Sequence, residues 1–134
     1  MRITADTNLL VRMVTGDDQR QFRLATDLLV GSERVILSTT VLCELCWVLR
    51  GVYQLTDTEL AETISDLTGA RNAMVDNQAA VEAGLEVLAL GGDFADGAIA
   101  AIGRQAGSEQ FVTFDKQAAR LVNSAGIPAR LLVS

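Results

Sequence analysis

Histidine is missing from the chain altogether. Its absence excludes Ser-His-Asp and Cys-His nucleophilic machinery, imidazole general bases and every zinc site that draws on histidine. Cysteine is nearly as scarce, with Cys43 and Cys46 in "CELC" the only ones, and both fall inside an apolar helical pattern. A redox Cys-x-x-C belongs at a helix start after a strand, so these two are read as buried structural thiols, and no four-ligand zinc site can be completed. Lys116 is the sole lysine, so arginine supplies the rest of the 11 basic residues and suits bidentate contact with phosphate or carboxylate. A net charge of −6 argues against a non-specific nucleic-acid coat. It does not exclude chemistry on nucleic acid, because carboxylates gathered around cations lower net charge while the bound metal restores local balance. No uncharged apolar run approaches the ~18 residues of a membrane span. The opening "MRITAD" has a charge at position 6 and no apolar signal core, so a cytoplasmic chain is expected.

What is present is apolar: hydrophobic residues make up 49% of the chain and the mean hydropathy is +0.27, high enough for a small domain to suggest that some apolar surface meets a partner. No linker, repeat or low-complexity tract divides the 134 residues, so one domain over 1–134 is expected. "RITAD" reads as a strand ending at Asp6, followed by a helix from "TNLLVRMV" and a second over about 19–30. "RVIL" is a second strand, and helices are expected over about 41–52 and 57–67. "NAMV" reads as a short edge strand, followed by a helix over about 77–90 and, after Gly91-Gly92, another from "DFADGAIAAIG". "QFVTF" is a strand ending at Asp115, "KQAARLVNSA" a helix and "ARLLV" a last strand. Strands separated by helices imply an α/β fold, a three-layer α/β/α sandwich with a central parallel sheet. Ligands of such sheets bind beyond the carboxyl ends of the strands, where Asp6 and Asp115 fall.

Four carboxylates stand out by context. Asp6 ends the first strand. Glu44 is the only charge between Arg34 and Arg50, in "VLCELCWVL", where its apolar neighbours leave it a narrow polar outlet and its desolvation calls for a cation. Asp96 precedes the small apolar run "GAIAAI". Of the two acids at that helix start, Asp93 suits the cap and Asp96 the ligand role. Asp115, in "TFDK", equally suits a strand-end turn or a helix cap. Together these acids favour hard cations, Mg²⁺ or Mn²⁺, which activate water and stabilise phosphoryl displacement. The hydroxyls of Thr7 and Thr113 and the amide of Asn8 are placed to orient ligands or water. Arg12, Lys116 and Arg120 lie on helices beginning near these acids and are candidates for holding a phosphate backbone. The small residues behind Asp96 are expected to let its helix lie close to the sheet.

The order "ADTN", "CEL", "DFADGAIAA", "TFDKQAARL" resembles the PIN-domain nucleases, in particular the bacterial VapC toxins of toxin–antitoxin pairs. The likeness spans essentially the whole chain. It implies metal-binding acids at Asp6, Glu44, Asp96 and Asp115 with a supporting hydroxyl at Thr113. It also implies a Mg²⁺-dependent endoribonuclease acting on a structured RNA such as tRNA, a homodimer, and inhibition by a small VapB-type antitoxin. One departure is Gly97, where alanine is commoner, which is expected to loosen that helix slightly.

Other strand-Asp families fit less well. A haloacid-dehalogenase phosphatase needs a second Asp where Asn8 stands, and a response-regulator receiver needs adjacent acids after the first strand and a Lys elsewhere than position 116. A catalytically silent scaffold of the same fold is the remaining alternative, and metal binding dependent on Asp6 and Asp96 separates it from an enzyme.

Overall fold

In the computed structural model, which describes all 134 residues, the chain divides into two compact units, Met1–Asp76 and Asn77–Ser134. The first unit holds β1 (Arg2–Thr4), α1 (Thr7–Thr15), α2 (Gln19–Gly31), β2 (Arg34–Leu37), α3 (Thr39–Gly51), α4 (Asp57–Thr68) and β3 (Ala73–Val75). Its sheet has the order β1-β2-β3, with both pairs parallel. Parallel neighbours cannot be joined by a hairpin, so each connection is a helical crossover. The central strand β2 alternates accordingly, with Val35 and Leu37 buried. Leu10, Leu29, Leu42, Leu45, Leu49, Leu60 and Ile64 supply further buried apolar side chains of this unit.

Helix starts in this unit are chemically marked. Asp6 caps α1, Asp18 caps α2 and Ser38 caps α3, each side chain accepting from a backbone N–H of the first turn. Thr56 and Glu59 form a reciprocal capping box at α4. The chain leaves α1 through Gly16 in the left-handed conformation (φ 63°), which glycine adopts without Cβ strain.

The second unit holds α5 (Gln78–Ala89), α6 (Phe94–Gln105), β4 (Phe111–Thr113), α7 (Lys116–Ser124) and β5 (Ala129–Leu131), with β4 and β5 paired in parallel around the α7 crossover. The elements follow the expected order, and all strands are parallel, as an α/β fold requires. The expected central sheet is observed as three strands in the first unit and two in the second.

The packing of α6 differs from expectation. Its small residues lie against α5: a Cβ built on Gly97 would stand 2.3 Å from the Ala83 carbonyl oxygen and 2.9 Å from Gly84 Cα. One built on Gly84 would stand 2.6 Å from the buried ring of Phe94. Glycine at position 97 therefore does not loosen the helix. It permits a backbone-to-backbone approach that alanine would obstruct.

Candidate active site

In the first unit the candidate residues gather at the carboxyl end of the sheet. β1 delivers the chain to Asp6, whose Oδ1 accepts from Leu9 N at 2.9 Å. Thr7, the first residue of α1, donates its hydroxyl to Glu44 Oε1 at 3.2 Å, which ties the Asp6 turn to α3. Asp6 and Asn8 border an open pocket of about 290 Å³ between α1 and α2, with Arg12 and Gln21 adding polar groups and Leu24 and Leu28 an apolar wall.

Glu44 corrects the expectation of a desolvated carboxylate, because it is exposed. α3 buries Thr39, Leu42, Cys43, Leu45, Cys46 and Leu49, while Thr40, Glu44, Trp47 and Gly51 form the solvent stripe. Glu44 therefore needs no cation to offset burial, and its candidacy rests on its contact with Thr7 and on its motif. Cys43 and Cys46 are buried and form no disulfide, as structural cysteines are expected to be.

Asp76 was not singled out in the sequence. It directly follows β3, and its Oδ1 accepts from both the backbone N–H (2.8 Å) and the hydroxyl (2.6 Å) of buried Thr39. This clasp joins the end of β3 to the start of the helix that carries Glu44. The rule that directed attention to Asp6 and Asp115, an acid immediately after a strand, would have found it.

In the second unit Asp93 is the N-cap of α6, its Oδ1 accepting from Ala95 N at 3.1 Å. Asp96 lies in the first turn of that helix and is half-buried. Burial first, then the negative charges of Asp93 and Asp115, push the Asp96 carboxyl above its ordinary pKa. Asp115 caps α7 through Ala118 N at 3.0 Å, and Thr113 Oγ1 accepts from Asp115 N at 3.0 Å, fixing the turn that leaves β4. Lys116 and Arg120 are exposed on α7.

Arg12 is engaged elsewhere. Its guanidinium meets the Asp17 carboxylate at 2.9 Å, and Asp17 also accepts from Tyr53 Oη at 2.7 Å and Thr15 Oγ1 at 2.9 Å. These hydrogen bonds, that of Tyr53 first, hold Asp17 down to a pKa of about 2. A contact between Arg12 and phosphate would compete with this network.

The donor chemistry suits a hard divalent ion: carboxylates without imidazole, and an Asp96 carboxyl surrounded by negative charge. Neither unit by itself gathers three or more acidic or thiol side chains in metal-holding geometry.

Parallel strands that feed capped helices, with carboxylates at the turns between them, make this an α/β protein. More particularly, the family model of the PIN domain matches residues 3–123, and the chain belongs to the PIN domain family. PIN domains are commonly nucleases acting on RNA or DNA, and they generally use divalent metal ions. Comparison with curated proteins gives no match. No helix is long and apolar enough to cross a membrane.

Proposed function

We propose that this PIN domain, taken as one functional domain over 1–134, is a Mg²⁺- or Mn²⁺-dependent endoribonuclease of the VapC toxin type. In this reading it works in the cytoplasm as a homodimer on a structured RNA such as tRNA, and a small VapB-type antitoxin restrains it. Asp6, Glu44, Asp96 and Asp115 are the metal-binding acids. The observation that carries the reading is Asp96, a half-buried carboxyl in the first turn of α6, raised in pKa by burial and by the charges of Asp93 and Asp115. Partly buried negative charge of this kind is a cost to the fold that a bound cation offsets.

Bound, a divalent ion supplies an activated water and stabilises charge on the phosphoryl oxygens. The chain's own residues do the positioning. The caps of α1 and α7 fix Asp6 and Asp115 at helix starts. The Thr7 hydroxyl orients the Glu44 carboxylate, and Thr113 sets the turn that presents Asp115. Asp93 anchors the first turn of α6 and so the direction of Asp96. Lys116 and Arg120 attract the RNA backbone from α7, and Asn8 offers an amide beside Asp6.

A second reading has an observation of its own. Asp6, Asp93 and Asp115 each cap a helix, which gives a catalytically silent scaffold a structural reason to keep them. Cleavage of end-labelled tRNA and of a single-stranded RNA, with Mg²⁺, Mn²⁺ or chelator, beside Asp6→Asn and Asp96→Asn, separates the two. Metal-dependent cuts lost in both variants support the nuclease. Metal binding absent from the unaltered protein leaves the scaffold.

A further inference from the structure

The three parallel strands of the first unit end at one edge, and α3 is tied to that edge on both sides of the strand it leaves. Ser38 caps α3 at the end of the central strand β2, its side chain accepting from Val41 N at 3.1 Å. Asp76 adds a second anchor at the same helix start. The pairing of Leu37 with Val75 is the last of the register, so Asp76 leaves β3 level with Ser38, the residue after Leu37. From there its Oδ1 accepts the Thr39 N–H at 2.8 Å and the Thr39 hydroxyl at 2.6 Å. Thr39 is buried, and both bonds run to a carboxylate, which makes them the stronger, charge-assisted kind.

The other flank of β2 meets the same helix. Ala5 N donates to Ile36 O at 3.2 Å, which holds the approach to Asp6 against the central strand. Glu44 lies five residues beyond Thr39, about 7.5 Å along the axis of α3, and accepts from Thr7, the neighbour of Asp6. α3 is therefore fixed to the start of α1 at Glu44 and to the end of β3 at Thr39. Ser38 gives the helix its cap without help from Asp76, so the second anchor governs where α3 stands and not whether it begins.

We propose that Asp76 is a positioning residue for the metal-binding acids of this unit: by holding Thr39 it sets the placement of α3, and so of the Glu44 carboxylate beside Thr7 and Asp6. The inference rests on the ribonuclease reading above and adds to it a residue that acts through α3 without touching metal or RNA. Groups that orient metal ligands are worth about 10- to 100-fold in metal affinity or activity, and a misplacement of about 1 Å can cost on the order of a hundredfold in rate.

The test measures Mn²⁺ binding, by the electron paramagnetic resonance of the free ion, and Mn²⁺-dependent cleavage of end-labelled RNA. Unaltered protein is compared with Asp76→Asn, Asp76→Ala and Thr39→Val, and Ile64→Val, a trimmed core residue of α4, controls for lost stability alone. Asparagine keeps the Oδ1 acceptor and removes the charge, whereas alanine removes both. Expected is a Mn²⁺ Kd raised about 10- to 100-fold in Asp76→Ala, largely recovered in Asp76→Asn and unchanged in Ile64→Val. The Mn²⁺ concentration for half-maximal cleavage should shift in the same order. Thr39→Val keeps the N–H and loses the hydroxyl, so it should fall between the parent and Asp76→Ala, and it carries the test if Asp76→Ala does not fold. A parental Mn²⁺ Kd in both Asp76→Ala and Thr39→Val, with lowered unfolding midpoints, makes the clasp one of stability alone, which overturns the positioning role and leaves the nuclease intact. Equal losses in Asp76→Asn and Asp76→Ala assign the effect to the Asp76 charge acting on the ion and also overturn that role. The expected order of Mn²⁺ affinities without cleavage of any RNA supports the positioning role and overturns the nuclease. No Mn²⁺ binding by the unaltered protein overturns both.

Discussion

Two glycines in one helix have opposite predicted responses to the same substitution. In an unobstructed helix interior, Gly→Ala gains about 0.8–1.0 kcal/mol through reduced backbone entropy in the unfolded chain. At Gly103 the nearest atom to an added Cβ is Ser108 Cβ at 3.7 Å, an ordinary contact, so most of that gain should appear. At Gly97 the added Cβ meets the Ala83 carbonyl oxygen at 2.3 Å, the Ala83 carbonyl carbon at 2.7 Å and Gly84 Cα at 2.9 Å. These obstacles are all backbone of α5, with no side-chain rotamer to turn aside, so the two helices must separate by about 1 Å to restore normal contact. Overpacking of this kind costs about 1–3 kcal/mol, and rigid neighbours place it at the upper end. Set against the propensity gain, Gly97→Ala should destabilise by about 2 kcal/mol and Gly103→Ala stabilise by about 0.5–1 kcal/mol.

Thermal unfolding followed by circular dichroism measures both. For a chain of this length 1 kcal/mol corresponds to roughly 3–4 °C in midpoint, so the variants should bracket the parent by a fall of about 6–8 °C and a rise of about 2–4 °C. Gly97 also follows Asp96 directly. A 1 Å displacement of a reacting group's support can cost on the order of a hundredfold in rate, so activity should fall further in Gly97→Ala than its folded fraction explains. Equal stabilisation in the two variants would refute the backbone-to-backbone packing of α5 on α6.

The Asp17 pKa of about 2, lowered from 3.8, means that its ionised form favours the fold at neutral pH and that this contribution disappears as pH falls from about 4 to 2. The midpoint difference between parent and Asp17→Asn should be constant above about pH 5 and close below it, and a pH-independent difference would contradict the Tyr53, Thr15 and Arg12 partnership. Asp76→Ala, which leaves the Thr39 N–H and hydroxyl without their acceptor, should destabilise by about 1.5–3 kcal/mol in urea unfolding, and a loss under about 0.5 kcal/mol would show that the clasp is idle. Neutralising Lys116 and Arg120 together should weaken RNA binding more at low salt than at high salt, and a salt-independent loss would remove them from the phosphate path.

Much of the fold was legible because helix starts and strand ends carry local chemistry. The strand at Arg34–Leu37 is the apolar run "RVIL", and Asp93 caps its helix as an acid before an apolar segment is expected to. Readings that depended on which element lies opposite failed. Glu44 was judged by its neighbours in sequence, whereas a 3.6-residue period carries those neighbours inward and leaves positions 40, 44, 47 and 51 outside. The small residues after Asp96 suggest a close approach to the sheet and Gly97 a looser helix, whereas Gly97 lies against Gly84's turn of α5; the visible signal is a glycine inside each of two consecutive helices. The Arg12–Asp17–Tyr53 network spans 36 residues between Asp17 and Tyr53, beyond the reach of any local pattern. Nor does composition mark the division at Asp76, where the chain passes from β3 to α5 without a glycine- or proline-rich linker.

The double life of the acids is separable by the choice of replacement. Asparagine caps a helix about as well as aspartate, whereas alanine loses about 0.5–2 kcal/mol. Asp6→Asn and Asp115→Asn should therefore keep the metal-free stability of the parent within a few tenths of a kcal/mol, while the corresponding alanine variants lose roughly 1 kcal/mol. Asp96 caps nothing, and its charge is opposed by burial and by Asp93 and Asp115, so Asp96→Asn should raise the metal-free midpoint. Metal reverses the order. A ligand that binds only the folded state raises its stability, by about 2.7 kcal/mol at a hundred times Kd, so Mn²⁺ should raise the parent's midpoint and leave all three asparagine variants nearly unmoved. Should the Asp6 and Asp115 asparagine variants keep the full Mn²⁺ shift, capping is the whole role of those acids. If the parent itself shows no shift, the negative charge around Asp96 serves something other than a divalent ion, and the silent scaffold becomes the better account of this PIN domain.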